Sequence, residues 1–173
     1  MKNVFAGAKY IKERILKNRS QNLPAPMFRK EIEVGEFNHA IIFVQGLGIA
    51  KFYINGKEIT KDLFISPISD YRKILWYNVY DVSDLLQKGK NTLAVILGNG
   101  FYNETIQTPW GHDKAEWRDS PKFLLNLTID GESIAVSDGS WKCSVEDSYI
   151  VYNQLRTGEY FDARKFNAGW MKN

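Results

Sequence analysis

The sequence predicts an all-β protein: an antiparallel β-sandwich, jelly-roll-like, with a short helical turn and one long aromatic-rich loop. Three observations predict it. Short segments rich in Val, Ile, Phe and Tyr recur along the chain, turn residues separate them, and no stretch sustains the apolar period of a long helix. A chain of 173 residues that is 44% hydrophobic and 14% aromatic can close one substantial core, and a second independent core is not expected. The expected organisation is a lead-in over residues 1–25 followed by a single sandwich domain over residues 26–173.

The lead-in reads as irregular or helical, and it closes on "LPAP", whose prolines enforce extension before the first strand. Its cations Lys9, Lys12, Arg14, Lys17 and Arg19 read as a solvated helix or arm. With a formal charge of only +3 and the other basic residues scattered among acids, nucleic acid is not an expected partner. "MFRKEIEV" (Met27 to Val34) then alternates apolar with charged residues, as a half-buried strand does. "AIIFVQG" and "IAKFYINGKEI" follow, with Gly46 and Gly48 marking a bend or bulge between two strands. Asn55-Gly56 is a hairpin signal, because both central residues of a type I′ turn need positive φ.

"ILWYNVYDV" alternates Ile74, Trp76, Asn78 and Tyr80 against Leu75, Tyr77 and Val79, which predicts another strand. "DVSDLLQKGKN" reads as one or two helical turns, N-capped by Asp81 or Ser83 and stopped at Gly89. "NTLAVILG" is a continuous apolar run, suited to a central strand covered on both faces. After the loop, "KFLLNLTID" and "SIAVSD" form a hairpin about Gly131, and "GSWKCSVED" a further strand in which Cys143 is a small buried hydrophobe. The tail "YNQLRTGEYFDARKFNAGW" shows little period.

The loop "LGNGFYNETIQTPWGHDKAEW" (Leu97 to Trp117) holds the candidate chemistry. Sugar binding needs flat aromatics for the apolar face of a pyranose and a few polar groups for its hydroxyls. Tyr102, Trp110 and Trp117 supply the first; Asn99, Asn103 and His112 supply the second. Glycoside hydrolysis needs two facing carboxyl groups, and Glu104, Asp113, Glu116 and Asp119 lie in or beside the loop, but spacing alone brings no two of them together. No catalytic residue is expected in this chain.

One cysteine and two histidines leave no multi-cysteine zinc site or histidine-rich centre. The G-x-S-x-G and phosphate-loop patterns are missing, and so is the D-x-D-x-D-G calcium series. No cofactor is expected; calcium on Asn99, Asn103 and nearby carbonyls is the one metal left open. The sequons at Asn18, Asn103 and Asn126 match a pattern too short to use. "MKNVFAGAKYIKERILK" lacks the apolar region of a signal peptide, and no later run reaches membrane-span length. Location stays open, a periplasmic or secreted parent included.

The order of "APMFRKEIEV", "GLGIAKFYINGKEI", "SPISDYRKILWYNVYDVSDLLQKGKNTLAVILGNGFY" and the closing "GEYFDAR" and "GW" resembles the amino-terminal β-sandwich domain of bacterial α-L-rhamnosidases, from about Ala25 to Trp170. One departure is "SPISDY", where that family commonly carries a Gly-Trp before a Thr-Asp-Tyr. In such enzymes the hydrolytic acids belong to a separate (α/α)6-barrel domain. The resemblance therefore implies a non-catalytic accessory domain of a glycoside hydrolase, with that barrel as partner and rhamnose-containing glycans as a second contact. Related modules that hold terminal L-rhamnose with calcium imply a binding role for Asn99, although Gly100 stands where an acidic neighbour would be. The rival reading is a free-standing carbohydrate-binding module for L-rhamnosides.

Overall fold

Tight turns at positive φ set the strand pairing. Asn55 and Gly56 (φ 52° and 80°) turn one hairpin, and Asp130 and Gly131 (φ 49° and 87°) turn another; a type I′ turn matches the right-handed twist of the strands it joins. The computed structural model describes residues 3–14 and 23–172, so Lys17, Asn18 and Arg19 lie outside the described residues. The strands are β1 (Met27–Val34), β2 (Ala40–Leu47), β3 (Ile49–Ile54), β4 (Lys57–Glu58), β5 (Asn78–Asp81), β6 (Gly89–Gly98), β7 (Lys122–Ile129), β8 (Glu132–Val136), β9 (Lys142–Ser144), β10 (Ile150–Gln154) and β11 (Gly158–Phe161).

Every strand pair is antiparallel. One sheet runs β4-β3-β6-β1-β9, a second runs β5-β2-β7-β8, and β10-β11 form a separate hairpin. Between β2 and β3 the chain leaves one sheet and enters the other at Gly48. Its φ is 117°, and a Cβ there would lie 2.4 Å from the Gly98 carbonyl oxygen. Only glycine fits this crossing.

Alternation in the strands sends one side of each sheet inward. Phe28, Phe52, Leu93, Val95 and Leu97 meet Ile42, Val44, Phe123, Leu125 and Leu127 in one buried cluster. Phe123 is its hub: Phe28, Phe52 and Trp141 stand edge-on to it at 5.2, 5.9 and 5.2 Å. Burial of side chains this size contributes about 1.5–3 kcal/mol each. Lys30 links the two sheets, donating to the Val136 carbonyl at 3.2 Å and pairing with Asp138.

The two outer faces are treated differently. Over the five-stranded sheet, Met27, Ile96 and Ala25 are closed by Tyr149, with Ile150 and Trp170 packed alongside. That cover explains the continuous apolar run of β6, which is buried from Asn91 through Leu97. Against the four-stranded sheet lie residues of the lead-in: Asn126 Nδ2 donates to the Val4 carbonyl, Phe5 meets Tyr77 edge-on at 5.6 Å, the Tyr10 hydroxyl donates to Gln45, and Ile11 bridges Phe123. The described part of the lead-in is thus irregular. No helix among the described residues is long and apolar enough to cross a membrane.

Three local expectations are corrected. The strand expected from Ile74 begins only at Asn78; Ile74 to Tyr77 are held instead by turn contacts, including the Ser69 hydroxyl on the Ile74 carbonyl and Gln45 Nε2 on the Trp76 carbonyl. The 3-10 turn Ser83–Leu85 has Val82 at its N-cap, with no side-chain cap. Asp81 instead accepts from the Ser83 N–H, while the Ser83 hydroxyl accepts from the Ala40 N–H. Cys143 is exposed, because β9 is a short edge strand with its side chain on the rim of an open pocket. Crowding there still pushes its thiol up to about 11, with a smaller push from Glu13. The tail without visible period contains the β10–β11 hairpin.

Candidate functional site

The loop leaves β6 through two close approaches. Gly98 lies under Asn153, and a Cβ on Gly100 (φ 52°) would meet Ile49 at 3.0 Å. The chain can therefore fold back on itself at once. The Asn99 N–H donates to Asn153 Oδ1 at 2.6 Å, Asn99 Nδ2 donates to the Asn153 carbonyl at 2.9 Å, and Asn103 Nδ2 donates to Asn99 Oδ1 at 2.7 Å. Asn99 and Asn103 are both buried. These amides tie the loop to β10, as buried polar groups must be tied.

Tyr102 is buried too. Tyr71 stands edge-on to it at 5.1 Å, and Lys122 Nζ lies 5.6 Å from its ring centre. Lys122 also holds Asp119 at 2.7 Å, and Lys12 holds the same carboxylate at 3.1 Å. Burial would raise the Asp119 carboxyl, but hydrogen bonds from Lys122, the Ser120 N–H and Lys12 overcome it and hold the group down at about 2. Burial, with Tyr102 as a second cause, pushes the Tyr71 hydroxyl up to about 12.

Glu104 is the hub of the loop. Its carboxylate is 1% exposed, with His112 Nδ1 at 3.0 Å and Arg156 Nε at 3.3 Å. Its backbone carbonyl accepts from Arg118, which also donates to the Asp113 carbonyl. A buried carboxylate is tolerated only when paired and hydrogen-bonded. Arg156 in turn lays its guanidinium 3.8 Å from the centre of the Trp110 ring.

The five predicted binding residues therefore separate. Asn99, Tyr102 and Asn103 sit inside the loop; Trp117 is half-buried between Tyr71, His112 and Arg72; Trp110 alone is largely exposed, at 61%. Of the four acids named from the sequence, three are engaged by cations, and Asp113 keeps Oδ1 buried without a hydrogen-bond partner among the described residues. Glu104, Glu116 and Asp119 each answer their own cations, with Arg72 on Glu116 at 2.8 Å. No group of three or more His, Cys, Asp or Glu able to hold a metal occurs among the described residues. Asn99 Oδ1 accepts from Asn103 Nδ2, while Asn103 Oδ1 is buried without a hydrogen-bond partner among the described residues.

Arg156 and Asn153 were invisible to sequence reasoning. The available signal was the turn chemistry of Thr157-Gly158 between two aromatic-containing segments, which marks a hairpin.

Comparison with known proteins identifies relatives of the chain. The family described as the alpha-L-rhamnosidase N-terminal domain matches residues 35–173. An alpha-L-rhamnosidase of Formosa agariphila is 35% identical over 155 residues, covering 84% of this chain and 16% of that protein. The solved alpha-L-rhamnosidase of Dictyoglumus thermophilum superposes with a TM-score of 0.72 at 36% identity, over 85% of this chain and 16% of that one. The Aspergillus terreus structure of the same name superposes with a TM-score of 0.86 at 27% identity, over 97% and 20%. The chain spans less than a fifth of the length of the curated relatives it matches.

Proposed function

The chain belongs to the alpha-L-rhamnosidase N-terminal domain family, and from that premise we propose that it is a non-catalytic accessory domain of an α-L-rhamnosidase-type glycoside hydrolase, packing on the (α/α)6-barrel catalytic domain of its parent. The observation that carries the reading is Glu104. The deepest carboxylate of the loop is committed to His112 and Arg156, and the other acids with resolved partners hold separate cations. A glycosidase centre wants the opposite: two carboxyl groups about 5–10 Å apart across an open cleft. The loop reads as support for a neighbouring surface.

The test is hydrolysis of an aryl α-L-rhamnoside by the 173-residue chain and by the full parent protein. Turnover by the parent and none by the isolated chain is the expected result; turnover by the isolated chain overturns the reading.

A second reading, contact with rhamnose-containing glycans, is favoured by Trp110. Its indole is exposed while Arg156 fixes its plane, which is how a sugar platform is pre-organised. Titration calorimetry with L-rhamnose, with and without calcium, tests it: heat that disappears in Trp110→Ala supports a sugar contact, and no heat in the unaltered chain removes it.

A further inference from the structure

We propose that the outer face of the four-stranded sheet beside β5 is a docking surface whose occupant is the remainder of the parent enzyme. The proposal rests on the accessory-domain reading and assigns that contact to a surface continuous with the aromatic loop, which Tyr71 and Arg72 join to Ile74. Pairing places Val79 beside Phe43, and Phe43 beside Asn126, on the face turned away from the core. The Val79 side of β5 is an edge, and the chain runs back from it through Tyr77, Trp76, Leu75 and Ile74. All five apolar side chains are exposed, Trp76 at 52%, and no charge interrupts residues 74–79.

The contrast with the other sheet is the first argument. A sheet with an apolar outer face must bury it against another layer. The five-stranded sheet has its layer, supplied by Tyr149, Ile150 and Trp170 of this chain. On the four-stranded sheet, contacts of Val4, Phe5 and Tyr10 reach Asn126, Tyr77 and Gln45 but leave Val79 and Trp76 in solvent.

Area selects the occupant. Five large side chains, each about half exposed, present roughly 500 Å² of apolar surface. Buried from both sides, that gives about 1,000 Å², inside the range of contacts between domains of one polypeptide and short of the roughly 1,200–2,000 Å² of stable complexes between free proteins. A tethered partner needs less area because its effective concentration is already high. The relatives supply the missing mass: this chain covers only 13–18% of their length. The segment is also pre-ordered for contact, since Ile74 N–H donates to the Asp70 carbonyl and Gln45 holds the Trp76 carbonyl.

Hydroxyl-radical footprinting of the full parent protein against the isolated 173-residue chain tests this, with the oxidation rates of Trp76 and Trp110 read separately. Burial in an interface core excludes solvent, so Trp76 should oxidise about fivefold or more slowly in the parent. Equal Trp76 rates in the two forms overturn the proposal, as does a Trp76 already protected in the isolated chain by self-association, seen by sedimentation. Val79→Asp in the parent gives a second readout: one cooperative unfolding transition should split into two. The rhamnoside assay reports on the accessory reading independently, so an active parent with an unprotected Trp76 defeats only the docking surface.

Discussion

Glu104 Oε2 lies 3.0 Å from His112 Nδ1, in a site where the carboxylate is 1% exposed. The contact closes the loop on itself across eight residues, and Arg156 reaches in from the turn after β10 to the other carboxylate oxygen. A loop without periodic structure is thereby given a fixed shape. Its shape is held by the partners of one buried carboxylate and by a chain of asparagine amides.

Removal of Arg156 should therefore destabilise the fold. Arg156→Ala leaves the Glu104 carboxylate buried with one ionic partner fewer, and because Arg156 is itself partly exposed the expected loss is about 1–2 kcal/mol, below that of a fully buried pair. Urea denaturation measures it. Trp110 should report the same change, its fluorescence shifting once the stacked guanidinium is gone; an unaltered midpoint would show that the cluster does not hold the loop.

Acid should weaken the fold through Asp119. Its ordinary value of 3.8 falls to about 2 in the folded chain. A depressed carboxyl contributes stability that is present above about 4 and lost as pH falls through about 2, because the unfolded chain takes up the proton first. Thermal melts between pH 5 and pH 2 should show this slope, and Asp119→Asn should flatten it. Asp70 and Asp162 are also held near 2, by Arg72 and Arg164. Both pairs are surface pairs and should add little.

Gly48→Ala tests the crossing between sheets. A Cβ 2.4 Å from the Gly98 oxygen, on a residue at φ 117°, forces either strained backbone or separation of β3 from the loop entrance. The expected cost is about 3 kcal/mol or more, since clash and unfavourable φ act together. A variant with the parent's urea midpoint would mean that the crossing can relax freely.

Phe123→Ala tests the hub of the core. The ring has three edge-on aromatic neighbours from different strands and loops. Its loss should cost about 3–5 kcal/mol, combining transfer and cavity terms. Calorimetric melting gives the number, and a drop under about 1 kcal/mol would show that Phe28, Phe52 and Trp141 collapse into the space.

Much of the sandwich was legible in the residues. β1, β3 and the β7–β8 hairpin show period-two alternation or a positive-φ turn pair, and β6 shows the unbroken run of a strand covered twice. The tail was not legible, because β11 is exposed along its whole length and therefore carries no apolar alternation. Ile74 to Tyr77 misled in the opposite sense. They alternate as a strand would, yet they lie outside β5 with their side chains in solvent.

By itself, then, the sequence determined the fold class, most strand positions and the family, since alternation and turn chemistry are properties of neighbouring residues. Only the tertiary structure decided which loop residues face outward. Asn99, Tyr102 and Asn103 are adjacent in the chain, but the groups that hold them, Asn153, Tyr71 and Lys122, arrive from distant segments. A polar or aromatic side chain acquires a role from whatever packs against it, and that partner is fixed by the assembled sheets, not by its place in the chain.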